Sequence, residues 1–132
     1  MAKKKKFPRL LKTNGLKEKF SLALAGISYA WSTQSNFRLH LLAALVTLLA
    51  AFLFRLSARE FLFLLFAIFL VFIAEMLNTA IELAVDLFGP GHHRLAKAAK
   101  DVAAGAVLLA AINSVIIGVL VFYPYLAALF KH

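Results

Sequence analysis

Three long, predominantly apolar segments constrain this chain more than any other feature of its sequence. They lie at residues 39–54, 61–88 and 102–122, and polar residues interrupt the middle one only after residue 74. A transmembrane helix needs about 20 predominantly apolar residues. Hydrophobic residues make up 63% of the chain, well above the roughly 45–50% of soluble domains. We therefore exclude an ordinary soluble domain and expect an all-α membrane protein with spans at about 38–55, 60–88 and 101–123.

The segment before the first span, at about residues 16–36, has the pattern of an amphipathic helix. Its apolar side chains recur at spacings of three or four, with serines between them (Phe20, Leu24, Ile27 and Trp31). The pattern predicts a surface helix in the membrane interface. The alternative is a helix packed on the bundle without contact to a substrate. Residues 1–15 form a basic tail, so the chain divides into this tail and a membrane domain at 16–132.

The distribution of basic residues predicts the orientation of the chain. Of its 15 lysines and arginines, nine precede the first span and three lie between the second and third spans. Because cytoplasmic loops are enriched in basic residues, we place the N-terminus and the second connection in the cytoplasm. We expect the tail to contact anionic lipid headgroups, at about 1 kcal/mol per basic residue, or else only to set the topology. No folded basic surface follows the tail, so nucleic acid is not an expected partner.

The cytoplasmic end of the second predicted span carries a polar face. Glu75, Asn78, Thr79, Glu82 and Asp86 fall within a sector of about 100° on an ideal helix. Ionisable residues in a span are functional hypotheses by default. Hydrogen bonds between helices would explain the amide and the hydroxyl, but they do not explain three carboxylates without cations on the same helix. Such carboxylates need a counter-charge, a proton or a divalent metal.

The next cytoplasmic segment supplies the opposite charge, because Lys100 and Asp101 begin the third predicted span. Carboxylates together with a lysine form the set that binds Mg²⁺ and nucleotide phosphates. The sequence contains no Walker A or kinase-type glycine-rich loop. Two other classes stay open from the residues alone: an ion or proton pathway, and a structural membrane subunit. A pore would favour polar residues along the whole span, and 61–74 has none. Three spans cannot enclose so wide a polar face, which favours a homo-oligomer.

Two sequence blocks resemble a known family. EMLNTAIELAVD at residues 75–86, followed by AKAAKDVAAGAVLL at residues 96–109, is similar to the prokaryotic diacylglycerol kinase and undecaprenol kinase family. The resemblance extends from about residue 20 to residue 122. It implies a homotrimer of three-span subunits with an N-terminal surface helix in the bacterial plasma membrane. It also implies an enzyme that uses Mg-ATP at the cytoplasmic interface to phosphorylate a lipid hydroxyl.

The resemblance also assigns roles to individual residues. It implies that Glu75 is the catalytic base and that Glu82 binds the metal. Three residues match positions that handle the phosphates (Asn78, Lys100 and Asp101), and three match supporting positions (Arg38, Asp86 and His93). The segment STQSNFRLH departs from the family pattern because Gln34 stands where the family often has a second metal-binding glutamate. A glutamine offers Mg²⁺ a carbonyl oxygen but no charge.

The lipid substrate is predicted from the amino-acid sequences of two segments. NFRLH and LNTAIELAVDLF look more like the undecaprenol kinase branch than the diacylglycerol kinase branch. We therefore expect undecaprenol as substrate, with diacylglycerol, which would yield phosphatidic acid, as the alternative.

Overall fold

The computed structural model describes residues 15–89 and 94–130, and its regular elements are four helices: α1 (Leu16–Thr33), α2 (Ser35–Leu53), α3 (Ala58–Asp86) and α4 (Arg94–Leu129). These described ranges contain no strand. The last three helices have 19, 29 and 36 residues and are apolar enough to cross a membrane. The prediction of an all-α membrane protein with three spans is therefore confirmed.

The C-terminal end of α4 lies beyond the end that the hydropathy pattern predicted. The expected span stopped at about residue 123, in front of Pro124, whereas α4 continues to Leu129 with this proline inside it. A proline removes one backbone hydrogen bond and crowds the preceding turn, but neighbouring contacts can hold the helix on both sides of it. Tyr125 supplies such a contact, because its hydroxyl donates a hydrogen bond to Glu60 of α3. The helix is therefore longer than the apolar segment from which the span was predicted.

A single extended residue separates α1 from α2. Gln34 has φ −103° and ψ 113°, and its backbone N–H still bonds to the carbonyl of Ala30 at 2.9 Å. Ala30 is the buried residue of α1, and the predicted apolar stripe is about half exposed on the single subunit. The position of α1 in a membrane interface remains a prediction.

Helix α3 is central to the bundle, because α1, α2 and α4 all contact it. Its buried side chains follow one another at intervals of three or four residues, as a stripe that contains Leu64, Ala67, Val71, Glu75 and Thr79. The facing residues are mostly alanines, which let the helices approach closely. The stripe changes from apolar to polar as it approaches the C-terminal end of α3. The packing of the bundle therefore buries a carboxylate, Glu75, at a position that elsewhere on this helix is apolar.

The other end of the bundle has conventional packing. Ala51, Leu64 and Val121 form a buried apolar cluster there. The ring of Phe54 lies 6.0 Å from the rings of both Phe122 and Tyr125. These contacts tie the α2–α3 turn to the C-terminal part of α4.

Candidate active site

Glu75 is a buried carboxylate at the contact between α3 and α2. Its side chain is 3% exposed, and its Oε1 lies 3.2 Å from Nε2 of His40 on α2. The imidazole is close enough for an ion pair but is not aligned for a hydrogen bond, so Oε1 has no hydrogen-bond partner within the described residues. A buried acceptor without a partner costs about 1–3 kcal/mol. An unpaired group of this kind in a native structure calls for an explanation such as a catalytic role.

A second unpaired acceptor lies one turn further along α3. The amide Nδ2 of Asn78 donates a hydrogen bond to Oε1 of Glu82 at 3.0 Å. An ionised carboxylate only accepts, so this contact fixes the orientation of the amide. The other amide atom, Oδ1 of Asn78, is buried and has no hydrogen-bond partner in the part of the chain that the structure describes. Asn78 therefore orients Glu82 and also presents a free oxygen.

Thr79 lies on the polar face, but its hydroxyl forms a hydrogen bond within its own helix. Its hydroxyl donates to the backbone carbonyl of Glu75 at 2.9 Å, one turn earlier in the same helix. Hydroxyl groups within helices commonly form this bond. The hydrogen bonds of Thr79 and of the Asn78 amide nitrogen both stay within α3, so neither supports the alternative in which these residues join two helices.

The charged residues at the end of α3 and the start of α4 form two ion pairs. Nζ of Lys100 donates to Oδ1 of Asp86 at 2.5 Å, and Nζ of Lys97 lies 3.7 Å from Oδ2 of Asp101. Exposed pairs of this kind contribute little stability, at about 0–1 kcal/mol. The structure thus brings Lys100 beside Asp86, as the sequence suggested, and it directs Asp101 towards Lys97.

The remaining predicted site residues lie near the α1–α2 junction or outside the described ranges. Gln34 is half-buried at the junction, and Arg38 is exposed in the first turn of α2. Phe37 anchors this turn, because its ring lies 5.1 Å from that of Phe72, one turn before Glu75. His93 falls within residues 90–93, which lie outside the described residues.

The donor atoms suit Mg²⁺ better than a metal held entirely by protein side chains. Among the described residues, no group of three or more His, Cys, Asp or Glu side chains could hold a metal ion. Mg²⁺ usually keeps several waters and binds through one or two carboxylates together with substrate phosphates. The carboxylate of Glu82 and the unpaired Oδ1 of Asn78 fit such an incomplete protein shell.

His40 lies at the sixth position of α2 and contacts Glu75, but it was not among the candidate site residues predicted from the sequence. A signal was present, because an ionisable side chain within a span is a functional hypothesis in its own right. Its partner could not be identified, because the contact joins two different helices.

Two open apolar grooves are lined in part by residues of α3 that are next to this polar cluster in the sequence. One, of about 970 Å³, lies between α1, α2 and α3, and its lining includes Trp31, Phe72 and Met76. The other, of about 870 Å³, lies between α3 and α4 and reaches Asn78. Buried polar atoms next to apolar grooves are typical of a site that positions a polar group of an otherwise apolar ligand.

The fold and the site together define a small helical membrane protein with an acidic site at one end of its bundle. Comparison with known proteins identifies its class. The family model described as prokaryotic diacylglycerol kinase matches residues 21–122. The chain therefore belongs to the prokaryotic diacylglycerol kinase family, as the sequence blocks indicated, and its class is that of a membrane lipid kinase.

Individual relatives are named after two different lipid substrates. The chain is 50% identical to a diacylglycerol kinase of Synechocystis over 83% of its own length and 63% of the relative's length. It is 48% identical to the undecaprenol kinase of Bacillus subtilis, with 76% of this chain and 82% of the relative covered. It is 36% identical to the diacylglycerol kinase of Escherichia coli, with 83% and 85% covered.

Proposed function

We propose that this protein transfers the γ-phosphoryl group of Mg-ATP to the hydroxyl of a membrane lipid alcohol, with undecaprenol preferred to diacylglycerol. The observation that carries the proposal is the Glu75 carboxylate, which is buried and has an oxygen without a hydrogen-bond partner among the described residues. Its neighbours in α3, Phe72 and Met76, line an apolar groove. A lipid that enters from the membrane would bring its single polar group to this position. The hydroxyl would then meet a carboxylate whose hydrogen bonds are incomplete among the described residues.

In this mechanism Glu75 is the general base. It accepts the hydroxyl proton as the lipid oxygen attacks the γ-phosphorus, and ADP leaves with the electrons of the broken P–O bond. General-base catalysis by a positioned side chain contributes about 10²–10⁴-fold to the rate. The carboxylate belongs to the buried stripe of α3, so its position in the bundle is restricted before the lipid binds.

Glu82 and Gln34 would hold Mg²⁺, and Asn78 would keep Glu82 in position through the 3.0 Å hydrogen bond. When bound, the metal neutralises charge on the phosphates, which is the main requirement of phosphoryl transfer. Lys100 would exchange its contact with Asp86 for a phosphate oxygen, and Asp101 would help to organise the nucleotide. Arg38 and His93 would have supporting positions around this anion site.

The preference for undecaprenol is supported by the segment NFRLH, which begins at Asn36, and by the undecaprenol kinase among the relatives. The similar identity to a diacylglycerol kinase makes diacylglycerol the competing substrate. Both lipids present a primary hydroxyl at the membrane surface. The groove between α1, α2 and α3 is lined mostly by apolar residues, which suits a long apolar chain.

The environment of the site is part of the same proposal. The nine basic residues before the first span favour a cytoplasmic N-terminus and a cytoplasmic active site. Asn78 and Glu82 are only partly buried on one subunit. This favours a homotrimer, in which neighbouring subunits would cover these residues and complete the site. The basic tail would contact anionic lipid headgroups.

The test is phosphoryl transfer from labelled ATP, with Mg²⁺, in mixed micelles that contain undecaprenol, diacylglycerol or neither lipid. We expect labelled product from both lipids, with the higher kcat/KM for undecaprenol. A higher kcat/KM for diacylglycerol would overturn the substrate preference alone. A folded protein that labels neither lipid would overturn the proposed function. Proton flux through the same protein in liposomes, without ATP, would then favour the ion-pathway alternative.

A further inference from the structure

His40 is an ionisable residue whose position the roles assigned so far do not explain. It lies in α2, one of the membrane-spanning helices, with 24% of its side chain exposed. Its Nε2 is 3.2 Å from Oε1 of Glu75, which is the carboxylate oxygen without a hydrogen-bond partner among the described residues. A polar side chain in a span faces a partner or a cavity because exposure to lipid is costly. His40 has a partner, Glu75, and it also lines a cavity.

The cavity is lined in part by His40 and extends deeper into the bundle. It has a volume of about 60 Å³, and three polar side chains contribute to its lining: His40, Thr47 and Ser114. A buried water needs about 10–15 Å³ and two to four polar partners, so this cavity can hold water next to the ring. The two ring nitrogens of a histidine are separate hydrogen-bonding groups. One can therefore serve Glu75 while the other is hydrated.

We propose that His40 is a positioning residue for Glu75, an inference that rests on the proposed function. Its Nε2–H donates to Oε1 of Glu75, which leaves Oε2 as the oxygen that takes the proton from the lipid hydroxyl. The present 3.2 Å contact becomes an aligned hydrogen bond through a small rotation of the ring. Catalytic hydrogen bonds are often poorly aligned without substrate and tighten in the complex.

This assignment to His40 does not change which bonds form and break in the proposed reaction. The lipid hydroxyl oxygen forms a bond to the γ-phosphorus, the bond between that phosphorus and the ADP oxygen breaks, and the hydroxyl proton moves to Oε2 of Glu75. His40 neither gains nor loses a proton in the step. It determines which of the two carboxylate oxygens points at the substrate, and a misplaced base can cost about 10²-fold in rate.

The test compares two variants of similar size, His40→Gln and His40→Met. The glutamine amide can place an N–H donor near the position of Nε2, and the methionine cannot. We expect His40→Met to lower kcat for the preferred lipid by about 10- to 100-fold with KM for ATP changed less than about threefold, and His40→Gln to recover most of kcat. Tyr125→Phe, which removes a polar contact at the other end of the bundle, is the matched control with unchanged kcat.

A second background separates positioning from damage to the fold. In Glu75→Asp the shorter side chain withdraws the carboxylate from Nε2, so His40→Met should lower the residual kcat by less than about threefold there. Equal kcat for wild type and His40→Met would overturn the positioning role, and so would an equal loss in the wild-type and Glu75→Asp backgrounds. Failure of the wild type to phosphorylate either lipid would instead overturn the proposed function, so the two failures are distinguishable.

Discussion

Glu60 and Glu75 are two carboxylates of the same helix that face other helices in very different ways. Oε2 of Glu60 accepts hydrogen bonds from the backbone N–H and hydroxyl of Ser57, at 2.9 and 2.6 Å, and from the hydroxyl of Tyr125 at 2.7 Å. Glu75 is more deeply buried, yet its Oε1 has no aligned donor within the described ranges. One end of α3 uses a carboxylate to hold the fold, whereas the other end keeps one available for a ligand.

The difference shows that one helix can carry a carboxylate that stabilises the fold at one end and a carboxylate that is not fully hydrogen-bonded at the other. Ser57 and Glu60 form a capping box at the start of α3, and this arrangement satisfies backbone and side chain reciprocally. The hydrogen bonds of Glu60 Oε2 all serve the helix cap or the contact with Tyr125. The unpaired atoms of Glu75 and Asn78 cost stability, and this cost is expected where the site and not the fold determines the residue.

The largest expected effect is the difference in kcat between a variant without the charge of Glu75 and a variant without the charge of Glu60. Glu75→Gln should lower kcat by about 10²–10⁴-fold, because the amide cannot accept the hydroxyl proton. Glu60→Gln should leave kcat within about threefold of wild type, because its carboxylate only holds the α3 cap and Tyr125. Both variants are measured with labelled ATP and the preferred lipid in the same micelles. Similar losses in the two variants would remove the distinction between the two ends.

The next effect concerns the orientation of Glu82. Asn78→Leu removes both the donor to Glu82 and the unpaired Oδ1, at nearly constant volume. We expect the Mg²⁺ concentration for half-maximal activity to rise by about 10- to 100-fold, as is usual when a group that orients a metal ligand is lost. A titration of kcat with Mg²⁺ at saturating ATP measures this. An unchanged half-maximal concentration would show that Asn78 does not act through the metal.

For the free energy of unfolding we expect the opposite order: the Glu60 variant should lose more than the Glu75 variant. Glu60→Ala should lower the free energy of unfolding, because Tyr125 loses its partner and α3 loses its cap. Glu75→Gln should not lower it, because a neutral amide replaces a buried carboxylate. Thermal unfolding in detergent, followed by circular dichroism, compares the two variants. A larger drop in Tm for Glu75→Gln than for Glu60→Ala would reverse the assignment.

The smallest effect tests the residue that departs from the family pattern. Gln34→Glu adds a carboxylate at the α1–α2 junction, where hard divalent cations gain from ligand charge. We expect the half-maximal Mg²⁺ concentration to fall by a few-fold, roughly 2–5 times, with kcat nearly unchanged. Gln34→Leu, which also removes the carbonyl oxygen, is the paired variant and should raise it. Identical Mg²⁺ curves for all three proteins would exclude residue 34 from the metal site.

Much of this architecture is predictable from sequence, for identifiable reasons. Uncharged runs predict the spans because the membrane requires long apolar helices. The contact between Asn78 and Glu82 follows from their spacing, since residues four apart are neighbours on a helix. The end of α4 was not predictable in the same way, because the Tyr125–Glu60 contact that supports the helix beyond Pro124 joins residues far apart in the sequence.

The same limit applies at the site. His40 and Glu75 are 35 positions apart, and neither sequence neighbourhood indicates the other. Their contact depends on how α2 docks on α3, with Phe37 against Phe72 as part of the interface. The pairing of Lys100 with Asp86 was easier to anticipate, because a short connection brings the end of one helix to the start of the next.

The most direct test of the account is to measure nucleotide binding and phosphoryl transfer on the same purified Glu75→Gln protein. If Glu75 is the base and not a ligand of the nucleotide, Mg-ATP affinity should stay within about threefold of wild type while kcat falls by at least about 10²-fold. Near-normal kcat with a folded protein would contradict the account. So would a loss of nucleotide affinity large enough to explain the loss of activity.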